Sequence, residues 1–223
     1  MIRWEWFPVS AVCKLCEKKK AKRECPGVGA GICPTCCGTH RENTVDCPLD
    51  CVYLREARLH EPVVELDPRT LPNADVRLNE AFLKEHEPLI VYLAMMLRQS
   101  MEVRKAVDND AREALEAIIK TYRTRESGLI YEVRPQNPYA AGLQEDLNRS
   151  IDELRKRLAE QTGMQTLRDA ELLGALVFIE RLQLQHNNGR RRGRAFLDLL
   201  RTMFPQPAPG SIERPAGSTL IQV

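Results

Sequence analysis

The distribution of cysteine constrains this chain more than any other feature of its sequence. All eight cysteines lie between Cys13 and Cys51, and the rest of the 223-residue chain has none. Most of them come in pairs separated by two or three residues, and a tight turn within such a pair directs both sulfurs at one metal ion. We therefore expect residues 1–61 to form a module around zinc, whose ligands are drawn from one set: Cys13, Cys16, Cys25, Cys33, Cys36, Cys37, Cys47 and Cys51.

Two of the pairs have the spacing of a zinc ribbon. Cys13–Cys16 and Cys33–Cys36 each leave two residues between the sulfurs, as in the knuckles that hold a structural zinc ion. The segment Lys18–Ile32 between them is long enough for a β-hairpin, with a glycine-rich turn at Gly27–Gly31. The sequence predicts a first zinc site in which these two pairs form a tetrahedron.

A second zinc site is predicted from the remaining cysteines. Three of its sulfurs come from Cys37, Cys47 and Cys51. The fourth ligand is open: His40 stands at knuckle spacing from Cys37, whereas Cys25 is the commoner type of ligand. His60 is a further candidate. The alternatives are one zinc with spare thiols, an iron–sulfur cluster, or a disulfide framework. The framework suits secreted domains, and Met1–Ser10 has no apolar run of signal-peptide length.

The cysteine-rich motifs resemble those of one group of proteins. Cys-Pro-Thr-Cys-Cys-Gly-Thr-His-Arg (Cys33–Arg41), followed by Asp-Cys-Pro-Leu-Asp-Cys-Val-Tyr-Leu-Arg-Glu-Ala-Arg (Asp46–Arg58), is similar to uncharacterised bacterial cysteine-rich, zinc-finger-like proteins. The resemblance extends more faintly to Ser127–Tyr131 and Gln185–Phe196. It implies a bacterial source and brings no activity or partner with it. The residues after Cys51 read as a short helix that closes the module.

The rest of the chain has a helical pattern. Three prolines mark residues 62–73 as a linker, and apolar residues then recur at helical spacing over 74–204. We expect about five helices there, including 89–107, 109–124, 139–161, one from Thr166 to before Asn187, and 193–203. A proline- and glycine-rich stretch marks 205–223 as a flexible tail. The predicted fold is a small zinc-bound α+β module, zinc-ribbon-like, followed by an all-α helical bundle.

Motifs for catalysis are missing from the sequence. None of the four histidines follows a glutamate by three residues, which excludes the dinuclear carboxylate sites of helical bundles. The metalloprotease, serine hydrolase, phosphate-loop and deaminase patterns are also absent. No apolar stretch reaches the roughly 18 residues of a membrane span. We therefore expect a cytoplasmic, non-enzymatic protein with no membrane partner, and the sequence identifies no small-molecule substrate.

Two basic runs suggest a partner, although the net charge of +2 predicts none. The first run, 18–23, lies on the expected hairpin and the second, 190–194, precedes the last helix. Their cationic residues are Lys18, Lys19, Lys20, Lys22, Arg23, Arg190, Arg191, Arg192 and Arg194. Such residues contact the phosphates of RNA or DNA, so nucleic-acid binding is the leading hypothesis. The alternative is a protein–protein adaptor that uses the zinc module or the bundle. Independently of this choice, each run can also be a solvated turn.

Overall fold

The structure is a computed structural model that describes residues 12–126, 128, 131–163 and 167–204. That part of the chain is mostly helical and has one small sheet near its N-terminal end. Its elements are β1 Arg23–Cys25, β2 Ala30–Ile32, α1 Pro34–His40, α2 Val52–Arg58, α3 Glu80–Glu85, α4 Glu87–Arg104, α5 Asp108–Glu126, α6 Pro138–Thr162, α7 Asp169–His186 and α8 Ala195–Met203. The predicted tail and the predicted helix start at Thr166 lie outside the described residues.

Residues 12–58, here called the finger, contain the predicted hairpin. Strands β1 and β2 pair antiparallel, with Arg23 opposite Ile32. The turn between them needs glycine twice. Gly29 takes a φ of +67°, which favours a residue without a side chain. A Cβ on Gly27 would collide with the backbone carbonyl of Asp46, so the turn packs directly against the segment that leads into Cys47.

The second cysteine pair differs from the zinc-ribbon prediction, because it lies at the start of a helix. Cys33 is the N-cap of α1, and its Sγ accepts the N–H of Cys36 at 3.4 Å. Pro34 occupies the first turn, where its fixed φ suits a helix and its missing N–H costs nothing. Because of these local preferences, Cys33 and Cys36 lie at the N-terminus of a helix, where a second knuckle was expected.

The helical region has a core of its own. Helix α5 packs between α6 and α7, α4 covers α6 and α7, and α8 closes the end of the bundle against α4, α5 and α7. Its fully buried side chains include Leu93, Leu97, Leu115, Ile118 and Leu176. A break at His86 separates α3 from α4, and Pro88 lies in the first turn of α4. Among the described helices, none combines the length and apolar character needed to span a bilayer.

The finger is docked on the bundle through a buried carboxylate. Glu42 is 1% exposed, and its side chain accepts hydrogen bonds from Arg58 at 2.7 Å and from Asn188 Nδ2 at 2.9 Å. Its backbone carbonyl accepts the N–H of Arg192 at 2.7 Å. Leu49 adds an apolar contact with the bundle core. Glu42 therefore joins the finger by hydrogen bonds to the segment between α7 and α8.

The predicted linker, 62–73, has neither helix nor strand but lies against the bundle. The N–H of Val64 donates to the carbonyl of Gln185 at 3.0 Å. Further along, Asn73 donates to the Glu180 carboxylate at 2.7 Å and accepts from Arg123 Nε at 2.7 Å. These bonds fix the segment along α7.

Candidate metal centre

Four sulfurs of the finger lie close together. The Sγ atoms of the two predicted pairs are all within 4.8 Å of one another, and the distance from Cys16 Sγ to Cys33 Sγ is 4.0 Å. Thiolates at about 2.3 Å from a tetrahedral zinc ion lie about 3.8 Å apart. The arrangement therefore has the size of a metal site, and Cys13, Cys16, Cys33 and Cys36 can hold one metal ion.

Backbone hydrogen bonds hold the first knuckle against the hairpin. The N–H of Cys13 donates to the carbonyl of Lys19 at 2.8 Å, and the N–H of Lys14 donates to the carbonyl of Gly31 at 3.0 Å. Glu17 closes the turn with a φ of +53°. Cys13 is fully buried as a result. These bonds set the position of the Cys13–Cys16 turn relative to the hairpin.

The protonation of this group favours a bound cation. Burial acts to raise the pKa of the Cys13 thiol, but backbone N–H groups, that of Cys33 foremost, lower this pKa to about 6. The N–H groups of the following turn lower the pKa of Cys16 as well. Burial raises the pKa of Cys36 to about 12, and the neighbouring sulfurs add to the rise. A divalent ion supplies the positive charge that lets all four sulfurs ionise together.

The other four cysteines, here called the second group, line a small cavity of about 10 Å³. Cys25 comes from β1, Cys37 from α1, and Cys47 and Cys51 from the loop that precedes α2. Burial raises the pKa of Cys25 and of Cys47, and the neighbouring sulfurs add to both rises. In the described part of the chain, only the first group brings its ligand atoms within 4.8 Å of one another. The four sulfurs of the second group therefore line one cavity, but they do not all lie within 4.8 Å of one another.

A guanidinium lies beside this second group. Arg23 Nη1 donates to Cys37 Sγ at 3.3 Å, and the same guanidinium lies 4.7 Å above the centre of the Tyr53 ring. Arg41 Nη2 is 4.0 Å from the same sulfur. Arg23, which was predicted as part of the first basic run, is therefore half-buried against the cysteines and separated in role from the lysines before it.

The structure places both candidate histidines away from the cavity. His40 Nδ1 is 2.8 Å from Thr44 Oγ1, in an exposed hydrogen bond at the end of α1. His60 is exposed beyond the end of α2. The cavity is lined by Cys25 and by neither histidine. Of the predicted alternatives for the fourth ligand, Cys25 is the residue that this fold brings to the other three cysteines.

The lysines of the first basic run face solvent. Lys18, Lys19, Lys20 and Lys22 are exposed, and within the described residues none of them forms an ion pair. Lys19 Nζ donates to the Thr35 hydroxyl at 3.1 Å. These side chains are accessible to an anionic partner.

Part of the second basic run contacts the finger, and part of it is exposed. Arg190 Nη1 donates to the carbonyl of Arg41 at 2.7 Å, and Arg194 Nη1 lies 2.9 Å from Asp46 Oδ1. Arg192 lies 4.0 Å from the same carboxylate, and the Arg191 side chain is exposed. Arg190 and Arg194 therefore help to dock the finger, whereas the Arg191 and Arg192 side chains are exposed. The sequence contains no local signal for the docking role, because the partners lie far away along the chain.

Comparison of the chain with protein-family models, with curated proteins and with solved structures found no match. The resemblance of Cys33–Glu61 to bacterial cysteine-rich proteins therefore stays a prediction. Metal chemistry and contacts within this chain are the basis for a functional assignment.

Proposed function

We propose that this protein is a zinc-binding, non-enzymatic protein that contacts nucleic acid through the exposed lysines of its finger. The first cysteine group supports zinc as the metal, because four thiolates in a closed tetrahedron are a structural zinc site. We expect the second group to take a second zinc. Its lining, which is richer in cysteine than in any other residue type, supports Cys25 as the fourth ligand.

The accessibility of four lysines carries the nucleic-acid proposal. Lys18, Lys19, Lys20 and Lys22 lie on the knuckle and hairpin without carboxylate partners in the described chain. The flanking Lys14 is also exposed. Lysines in such a position neutralise backbone phosphates without reading sequence. The run 190–194 adds less support, because the Arg190 and Arg194 side chains contact the finger and only Arg191 and Arg192 are exposed.

The test is fluorescence polarisation with a labelled single-stranded RNA, measured over a range of salt concentrations. We expect K18A/K19A/K20A to bind more weakly than the wild type. Each lost phosphate contact should also lower the slope of log K against log salt by about 0.7. A triple variant of three exposed lysines elsewhere, K84A/K120A/K156A, removes the same charge and is the matched control.

Two outcomes would reject the proposal. If both triple variants bind as the wild type does, the finger lysines make no phosphate contact. If both lose affinity equally, only net charge matters. Zinc content is measured in each variant, because the lysines also surround anionic zinc–thiolate centres and a loss of metal would imitate a loss of contacts.

An adaptor role is the second candidate, and two exposed apolar side chains favour it. Val52 and Leu59 are 59% and 83% exposed. They line a groove of about 670 Å³ whose other wall includes Asp198 and Thr202 of α8. A protein partner that survives nuclease treatment, binds the wild type and fails to bind V52S/L59S would support this role. Val103→Ser, at an apolar position that is 77% exposed on α4, is the control.

A further inference from the structure

A cleft of about 770 Å³ lies where the finger meets the bundle. Its finger wall includes Pro26, Asp46 and Leu49, and its bundle wall includes Arg98, Met101 and Leu197. Sites for small ligands typically enclose about 300–1,000 Å³. The cleft is therefore of the right size for a small organic molecule, and its wall combines apolar side chains with charged ones.

Arg98 is the unusual residue of this cleft. It is the one charged side chain between Glu87 and Glu102 of helix α4, and it is only 4% exposed. Within the described residues it makes no hydrogen bond or ion pair, and its Nε atom is buried without a partner. A buried charge normally has a counter-charge or a full set of hydrogen bonds. Arg98 therefore lacks the partner that its burial requires.

The other charges around the cleft do not supply that partner. Asp46 is occupied by Arg194 at 2.9 Å, and Glu102 is occupied by Arg201 at 3.1 Å. Lys105, which follows α4, also lines the cleft and has no ion pair in the described part of the chain. Both acids are thus paired, and two cations remain uncompensated: Arg98 and Lys105.

We propose that this cleft binds the phosphate group of a small phosphorylated organic molecule. A phosphate monoester carries a charge of about −1.5 to −2 at neutral pH, which matches the two unpaired cations. The planar guanidinium of Arg98 suits two parallel hydrogen bonds to phosphate oxygens. Met101, Leu197 and Leu49 offer apolar surface to the organic part. This site is separate from the lysines of the finger, because Lys18–Lys22 does not line the cleft.

The test is titration calorimetry of the zinc-loaded full chain, with AMP and inorganic phosphate as probes and adenosine as the phosphate-free control. We expect the wild type to bind AMP and phosphate and not adenosine alone. Arg98→Met keeps the volume and removes the charge, and it should weaken AMP binding roughly tenfold to a hundredfold. Arg98→Lys should recover only part of the affinity, because lysine cannot form the paired hydrogen bonds. The exposed Arg77→Met is the control for loss of one positive charge.

A thermal unfolding measurement separates ligand binding from a structural role. Removal of an unpaired buried charge should leave the unfolding midpoint of Arg98→Met unchanged or raise it. AMP should raise the midpoint of the wild type and not that of the variant. The proposal is overturned if neither AMP nor phosphate binds the wild type at millimolar concentration, or if Arg98→Met binds both equally well. It is also overturned if Arg98→Met weakens RNA binding as much as K18A/K19A/K20A does, because the cleft would then belong to the nucleic-acid surface.

Discussion

Glu42 accepts the backbone N–H of Arg194 at 3.0 Å, across 152 positions of the chain. The same carboxylate oxygen lies 2.7 Å from Arg58, so one buried atom joins the last helix of the finger to the first turn of α8. The side chain of Arg194 in turn forms an ion pair with Asp46 at 2.9 Å. Glu42 and Arg194 thus fix the orientation of the finger on the bundle, and Arg194 also lines the cleft between the two.

Glu42→Ala should lower the free energy of unfolding by about 3–5 kcal/mol, because it leaves Arg58 without the closer of its two acids and removes the acceptor of the Arg194 N–H. Urea denaturation at a fixed zinc concentration measures the change. Glu56→Ala, at an exposed position of α2, is the control and should change stability by less than about 0.5 kcal/mol. If the two variants change the free energy of unfolding equally, Glu42 does not stabilise the contact between the finger and the bundle.

Elemental analysis of the purified protein should find two zinc ions per chain. Cys33→Ser removes a ligand of the first group and Cys47→Ser a ligand of the second, so each variant should retain one ion. His40→Ala should retain both, because His40 is bonded to Thr44 and lies outside the second cavity. A wild-type content of one zinc, lost in Cys33→Ser and kept in Cys47→Ser, would leave the second group as free thiols.

Chelation of zinc should unfold the finger and leave most of the helical signal. Structural zinc contributes an apparent binding free energy of about 10–16 kcal/mol, which exceeds what so small a module can obtain from its own core. Helices α4 to α8 have a separate buried core that includes Leu93, Ile118 and Leu176, and this core contains no cysteine. Circular dichroism at 222 nm before and after chelation checks the expectation. Loss of most of the signal would show that the finger and the bundle unfold as one unit.

The raised pKa of the buried Asp108 leads us to expect that the stability of the protein depends on pH near neutrality. Its carboxylate accepts the N–H groups of Phe196 at 2.9 Å and Leu197 at 3.2 Å, and it thereby caps α8. Burial raises the pKa of Asp108 to about 7, although these two bonds act to lower it. Because the folded pKa lies above the unfolded value of 3.8, the folded state holds the proton more tightly. The contribution of Asp108 to stability is therefore largest at low pH and falls as the pH rises through 7.

Asp108→Asn keeps the capping oxygen and removes this titration. The wild type should gain about 1 kcal/mol relative to the variant between pH 8 and pH 6. The lowered pKa of His186 acts in the opposite direction, since the unfolded state takes up a proton below about pH 6.5. That effect is common to both proteins and cancels in the difference. Asp67→Asn is the control, because Arg69 lowers the pKa of Asp67 and keeps it ionised over this range. A constant difference between wild type and Asp108→Asn would refute the prediction.

Local spacing in the sequence determined the features that depend on neighbouring residues. The Cys13–Cys16 and Cys33–Cys36 pairs could be assigned to one site because each pair holds its sulfurs close together whatever surrounds it. The hairpin between them followed from its glycines, and the helix predicted at 109–124 is seen as α5 Asp108–Glu126 because apolar periodicity is also a local signal. The helical start at Pro34 had a local cause too, in the capping position of Cys33.

The tertiary structure alone decided which groups meet across long stretches of chain. Cys25 joins the second cysteine group because the hairpin turn packs on Asp46, and spacing could not choose it over His40. The run 190–194 has the composition of a phosphate-binding surface, yet Arg194 within it is bonded to Glu42 and Asp46, about 150 residues earlier. Charge in a sequence shows how many cations are present, whereas only the fold determines which of them are already paired. For that reason the unpaired Arg98 could be recognised only when its surroundings in the cleft were known.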